Sequence, residues 1–125
     1  MKAAPSREHQ RLVGELISWM QTEGYRIRCG NYGNLSQCKE VRGYIPDVKG
    51  SSNDLNAYGE AKTEDDIDNN HSKNQFRVFA NRVMKKSKAP CPFYIAIPKG
   101  SENDLRRVLR ELGLNRSSHV RWSAF

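Results

Sequence analysis

Two carboxylates and one lysine are spaced so that they can share a site: Asp47, directly after Pro46, and the Glu60 and Lys62 of the run Tyr58-Gly59-Glu60-Ala61-Lys62. In an extended chain, side chains alternate faces, so Tyr58, Glu60 and Lys62 lie on one face and the small Gly59 and Ala61 on the other. The interval Lys49-Gly50-Ser51-Ser52-Asn53-Asp54 is rich in turn formers, and a hairpin through it brings Asp47 beside Glu60. Carboxylates are hard oxygen ligands of the kind Mg²⁺ takes, and Mg²⁺ lowers the pKa of the water it retains. An ammonium nearby stabilises the extra charge of a pentacovalent phosphorus transition state. The constellation therefore suits phosphodiester hydrolysis. A structural reading competes with it: a Glu and a Lys two apart on a strand also make a solvated face, and a Pro-Asp pair also makes a turn.

The 125 residues suffice for a single domain, 1–125, with its own core. The cysteines Cys29, Cys38 and Cys91 are odd in number and lack C-x-x-C spacing, which predicts reduced thiols in a cytoplasmic protein and argues against zinc. Charged residues follow Met1-Lys2-Ala3-Ala4-Pro5, and no stretch approaches a membrane span, so a soluble chain without a membrane partner is expected. Lys and Arg number 21 against 14 Asp and Glu, a net +7 that favours a polyanionic partner, nucleic acid ahead of membrane.

The elements that must position the site follow from periodicity. Ser6 is a cap for a first helix with Leu12, Val13, Leu16, Ile17 and Met20 on its buried face, ending at Gly24. Glu8 and Glu15 border that apolar stripe. Tyr25-Arg26-Ile27-Arg28-Cys29 alternates as a half-buried strand, its arginines facing phosphate or water. Residues 30–37 read as a loop and residues 41–48 as a strand that Pro46 distorts where Asp47 must be aimed. The acids of Thr63-Glu64-Asp65-Asp66 add to the metal field or solvate a turn.

A second helix is expected from a capping box, Ser72-Lys73-Asn74-Gln75, burying Phe76, Phe79, Ala80 and Val83. Lys73 and Gln75 lie near the proposed site, and Arg77, Arg82, Lys85, Lys86 and Lys88 form a basic track for nucleic acid or a solvated helix end. Cys91-Pro92-Phe93-Tyr94-Ile95-Ala96-Ile97 reads as a central strand buried on both faces. Ser101 is a cap for a third helix that buries Leu105, Val108, Leu109 and Leu112 and stops at Gly113, and residues 119–125 close as a last strand. His9, His71 and His119 read as incidental, because no carboxylate or serine pattern ties any of them to a triad.

The resulting α/β order, αβββαβαβ, with Pro46-Asp47 followed by Glu60-Ala61-Lys62, resembles the PD-(D/E)XK restriction-endonuclease-like superfamily. The resemblance implies a central mixed β-sheet flanked by helices and a Mg²⁺-dependent DNA endonuclease, with Mn²⁺ as a substitute and RNA left open as a substrate. It makes Asp47, Glu60 and Lys62 the catalytic residues and Asp47 and Glu60 the metal ligands. It adds a glutamate of the first helix as a further ligand, Glu8 before Glu15, and a polar residue such as Gln75 on the helix after the motif. Length and element order look most like the archaeal-type Holliday junction resolvases, which are homodimers. Two readings from other classes stand beside it: a non-catalytic nucleic-acid-binding or regulatory protein of the same fold, and an interaction module that docks through Trp122 and Phe125.

Overall fold

The computed structural model describes residues 6–125. Helix α1 (Arg7–Thr22) starts where the Ser6 side chain accepts the His9 N–H and buries Leu12, Val13, Leu16, Ile17 and Met20. After Gly24, at φ +98°, come β1 (Arg26–Gly30), β2 (Val48–Ser52), β3 (Leu55–Ala61), a 3₁₀ turn (Glu64–Asp66), α2 (Asn70–Ala80), β4 (Phe93–Ile97), α3 (Glu102–Glu111) and β5 (Val120–Ala124). The strands form one five-stranded mixed sheet in sequence order, antiparallel from β1 to β3 and parallel from β3 to β5. The element order is the one expected.

Alternation along the central strands divides the core. Ala57, Ala61, Tyr94 and Ala96 meet α1, whereas Tyr58, Phe93, Ile95 and Ile97 meet the buried residues of α2 and α3. Small residues on the α1 face permit a close approach: a Cβ on Gly59 would lie 2.9 Å from Leu16 Cδ2. Strand β4 is buried along its whole length, as its unbroken apolar run requires.

Four local expectations are corrected. Residues 41–48 are not a strand, because Arg42 and Gly43, both at positive φ, make a tight turn that leaves only a Val41–Tyr44 bridge. The turn formers of residues 49–52 instead lie in β2, held by its two neighbours, and the hairpin turns at Asn53 and Asp54. Helix α2 is capped by Asn69, whose side chain accepts the Ser72 N–H at 2.8 Å, so Ser72 lies inside the helix. It ends at Ala80, because the Asn81 amide takes the Arg77 carbonyl at 2.7 Å. Arg82, Lys85, Lys86 and Lys88 therefore lie beyond the helix, and Val83 is 47% exposed rather than buried. At α3 the Ser101 side chain makes no capping bond, and the Glu102 carboxylate accepts the Gly100 N–H instead.

The thiol expectation is also corrected. Cys29 and Cys38 form a disulfide with Cα atoms 5.0 Å apart, while Cys91 is free and buried. The bond removes the argument that reduced thiols made for a cytoplasmic protein. Among the described residues, no helix is long and apolar enough to cross a membrane.

Candidate active site

The β2–β3 register pairs Val48 with Gly59, so the next position along sets Asp47 opposite Glu60. Pro46 has no N–H to give the ladder, and the chain leaves it just there. Asp47 then turns its own N–H to Glu60 Oε1 at 2.9 Å, and Asp47 Oδ2 accepts the Ala61 N–H at 3.0 Å. Each carboxylate is thus held by a main-chain N–H of the paired segment.

Lys62, on the face of Glu60, places Nζ 3.6 Å from Glu60 Oε2 and 3.6 Å from Asp66 Oδ2, and donates a hydrogen bond to Gln75 Oε1 of α2. Glu60 and Lys62 are only 2% and 3% exposed, and Asp47 9%, which is incompatible with a solvated strand face. Buried charges of this kind persist where they are paired and hydrogen-bonded.

Burial, and after it the neighbouring Asp47 charge, pushes the Glu60 carboxyl well above the usual carboxylate range, against the opposing pull of Lys62 and the Asp47 N–H. His9 Nε2 donates to Asp47 Oδ2 at 3.2 Å, and this bond raises the imidazole above its ordinary value despite partial burial. His9 Nδ1 is buried with no hydrogen-bond partner among the described residues.

The other expected residues divide. Gln75 reaches the site. Glu8 does not: its carboxylate turns to Arg11, with Arg11 Nε donating to Oε2 at 3.2 Å, and is held below its ordinary value by that bond. Glu15 is exposed. Among the described residues, no three His, Cys, Asp or Glu side chains converge as a metal cage. Lys73 is held at 3.1 Å by Asp68 and 2.9 Å by Glu111, and Arg77 donates to Asn74. Lys85 and Lys86 line a groove with Asp54 and Leu55, at the start of β3. That end lies about 17 Å along the strand from Glu60, taking ~3.3 Å per residue. Arg82 lies half-buried just past α2. The basic residues after α2 are therefore not brought to the carboxylates.

Two side chains at the site depart from expectation. Asp66 leans toward Lys62 rather than only solvating its turn. His9 touches Asp47, while His71 lies tilted against the Tyr44 ring and His119 donates to the Ala80 carbonyl. The signal for His9 lay in α1: it stands three before Leu12 and four before Val13, on the N-terminal continuation of the buried stripe.

No family model, curated protein or solved structure matches this chain. Its class rests on its own architecture, which among the described residues is α/β with a five-stranded mixed sheet and three α-helices.

Proposed function

We propose that this chain is a Mg²⁺-dependent endonuclease of the PD-(D/E)XK type that hydrolyses DNA phosphodiester bonds, with four-way junctions among its candidate substrates and a homodimer as its acting form. The observation that carries this reading is the convergence of Asp47, Glu60 and Lys62 in a largely buried cluster at one end of the β2–β3 pair.

The donor set fits the ion. Mg²⁺ binds through one or two carboxylates and keeps several waters, and Asp47 and Glu60 are such a pair. Two adjacent carboxylates bring more negative charge than the one Lys62 ammonium offsets, and a dication relieves that excess. When bound, the ion supplies Lewis acidity and lowers the pKa of water at the site.

The chain's own groups orient the reaction. The Ala61 and Asp47 N–H groups set the two carboxylates before substrate arrives. Lys62, held by Gln75, stabilises the charge that develops on the phosphoryl oxygens, and burial strengthens that interaction. Water adds its oxygen to phosphorus, one P–O ester bond breaks, and the departing oxygen gains a proton. The products are a hydroxyl and a phosphate monoester.

One observation favours the non-catalytic nucleic-acid-binding or regulatory alternative: His9, not an acid of α1, contacts Asp47. Cleavage of labelled duplex, single-stranded, flap and four-way DNA and of RNA, in Mg²⁺ or Mn²⁺, decides between the readings. Cleavage by the parent that Asp47→Ala and Lys62→Ala both abolish is the expected result. Salt-dependent binding by the parent without cleavage transfers the reading to the binding protein, and light scattering reads the dimer.

A further inference from the structure

The face of β1 and β2 opposite α1 is not part of the core that α2 and α3 form over β3 to β5. Residues 36–41 arch over it instead, leaving a cleft of about 460 Å³ with Arg28, Ser36, Lys39, Glu40, Lys49 and Tyr58 among its walls. Three cations face one carboxylate there. Among the described residues none of the three is engaged in an ion pair. Tyr58 forms part of the wall, with its ring stacked on Phe79 of α2 and the Lys49 ammonium 5.8 Å from its centroid.

Sheet register links this cleft to the carboxylates. Cys29 pairs with Lys49 and Lys49 with Tyr58, a rung across three strands. Two residues further along, the next rung on that face is Asp47 opposite Glu60, about 7 Å away at ~3.3 Å per residue. The outer wall is fastened to β1 by the Cys29–Cys38 disulfide and by the Gly30 N–H to Ser36 carbonyl bond at 2.9 Å. Lys39, next to Cys38, is thereby tied to the same frame as Arg28 and Lys49.

We propose that this cleft is the nucleic-acid backbone site of the protein: Arg28, Lys39 and Lys49 bind phosphates of the strand whose next phosphodiester lies at Asp47 and Glu60. The inference rests on the nuclease reading for the path of the strand. A guanidinium and two ammonium groups beside a hydroxyl match phosphodiester oxygens. Contacts of this kind position a strand without reading its sequence, so binding is salt-dependent and sequence-tolerant. Glu40 limits the local charge and would sit beside the strand rather than on a phosphate.

The test is fluorescence anisotropy with labelled DNA across a salt series in EDTA, using the full chain with its disulfide intact. Arg28→Gln/Lys49→Gln is compared with the parent, with Lys99→Gln/Arg116→Gln, which removes the same charge elsewhere, and with Lys85→Gln/Lys86→Gln at the other end of β3. Lys39→Glu, on the covering segment, gives a second reading of the cleft should the double variant fail to fold. The cleft variants are expected to weaken binding about tenfold or more, whatever the sequence. The double variant should lower the slope of log K against log salt by about 2. Equal losses in all three double variants would overturn the proposal, as would a loss confined to Lys85→Gln/Lys86→Gln. A parent that binds through the cleft yet cuts nothing in Mg²⁺ keeps this site and loses the nuclease reading. A parent that cuts while Arg28→Gln/Lys49→Gln binds like it keeps the nuclease and loses the cleft.

Discussion

His9 Nε2 lies 3.2 Å from Asp47 Oδ2, joining the first turn of α1 to the residue just before β2 across 38 positions of sequence. The same carboxylate oxygen accepts the Ala61 N–H, so one atom ties helix, β2 and β3 together. The contact also fixes which residue of the helix start meets the site: His9 faces Asp47, and Glu8 is left to Arg11.

That ion pair makes stability depend on pH in a defined direction. The folded-state pKa of His9 is raised above 6.5, chiefly by Asp47, so its contribution is fully present below the unfolded value and is lost as pH rises through the folded one. His9→Ala is expected to cost about 1 kcal/mol near pH 6, less than a fully buried charged hydrogen bond because water reaches the pair. Urea unfolding at several pH values should find the parent-to-variant gap largest in acid and shrinking above neutrality.

Glu60 has the same sign as His9, the reverse of the usual case for an acid. Its carboxyl is raised by burial, so the folded state holds the proton more tightly, and the stabilisation this gives is present below 4.5 and lost as pH rises through the folded value. In EDTA, Glu60→Gln should therefore melt higher than the parent at pH 8, with the difference closing toward pH 4.5. Adding Mg²⁺ should raise the melting temperature of the parent, as a ligand of the native state does, and leave Glu60→Gln unmoved.

Gln75 acts through Lys62, whose ammonium is buried and bonded to Gln75 Oε1. Gln75→Leu removes that acceptor and should destabilise the fold by about 1–3 kcal/mol. Under the nuclease reading kcat should fall roughly 10- to 100-fold, the usual scale for losing a group that orients an active one, with KM little changed. Gln75→Glu, which keeps an acceptor oxygen, should recover part of both. Equal activity in parent and Gln75→Leu would show that Lys62 needs no anchor.

The cysteines make a prediction in thiol counts. The native protein should expose no reactive thiol, because Cys29 and Cys38 are bonded and Cys91 is buried with its thiol pushed up by that burial. Unfolding in guanidinium without reductant should release one thiol, and unfolding with reductant three, before alkylation and mass measurement. Reduction should cost about 2–3 kcal/mol from the loss of a short-loop constraint on the unfolded chain. It should also weaken DNA binding, because the cleft wall carrying Lys39 is then no longer fastened to β1.

Much of this architecture was legible because its signals are local. The 3.6-residue stripe of α1, the unbroken apolar run of β4 and glycines such as Gly24 and Gly113 depend on residues near one another in sequence. The meeting of Asp47, Glu60 and Lys62 was legible for the same reason: a hairpin is a short-range structure, and two-residue alternation decides which side chains share a face. Where the reading failed, a distant contact outweighed local preference. The turn formers Gly50 and Ser51 became strand once β1 and β3 could pair with them, and a Cβ on Gly50 would lie 3.0 Å from Tyr25 Cβ. The Cys29–Cys38 bond depends on the path of residues 30–37, which cysteine spacing does not encode. Sequence by itself determined the α/β class, the order of helices and strands and the acid-acid-lysine set. Only the tertiary structure decided that His9 rather than Glu8 meets Asp47, that Gln75 anchors Lys62, and that Arg28, Lys39 and Lys49 gather beside the site, because each depends on how whole elements are rotated and stacked against one another.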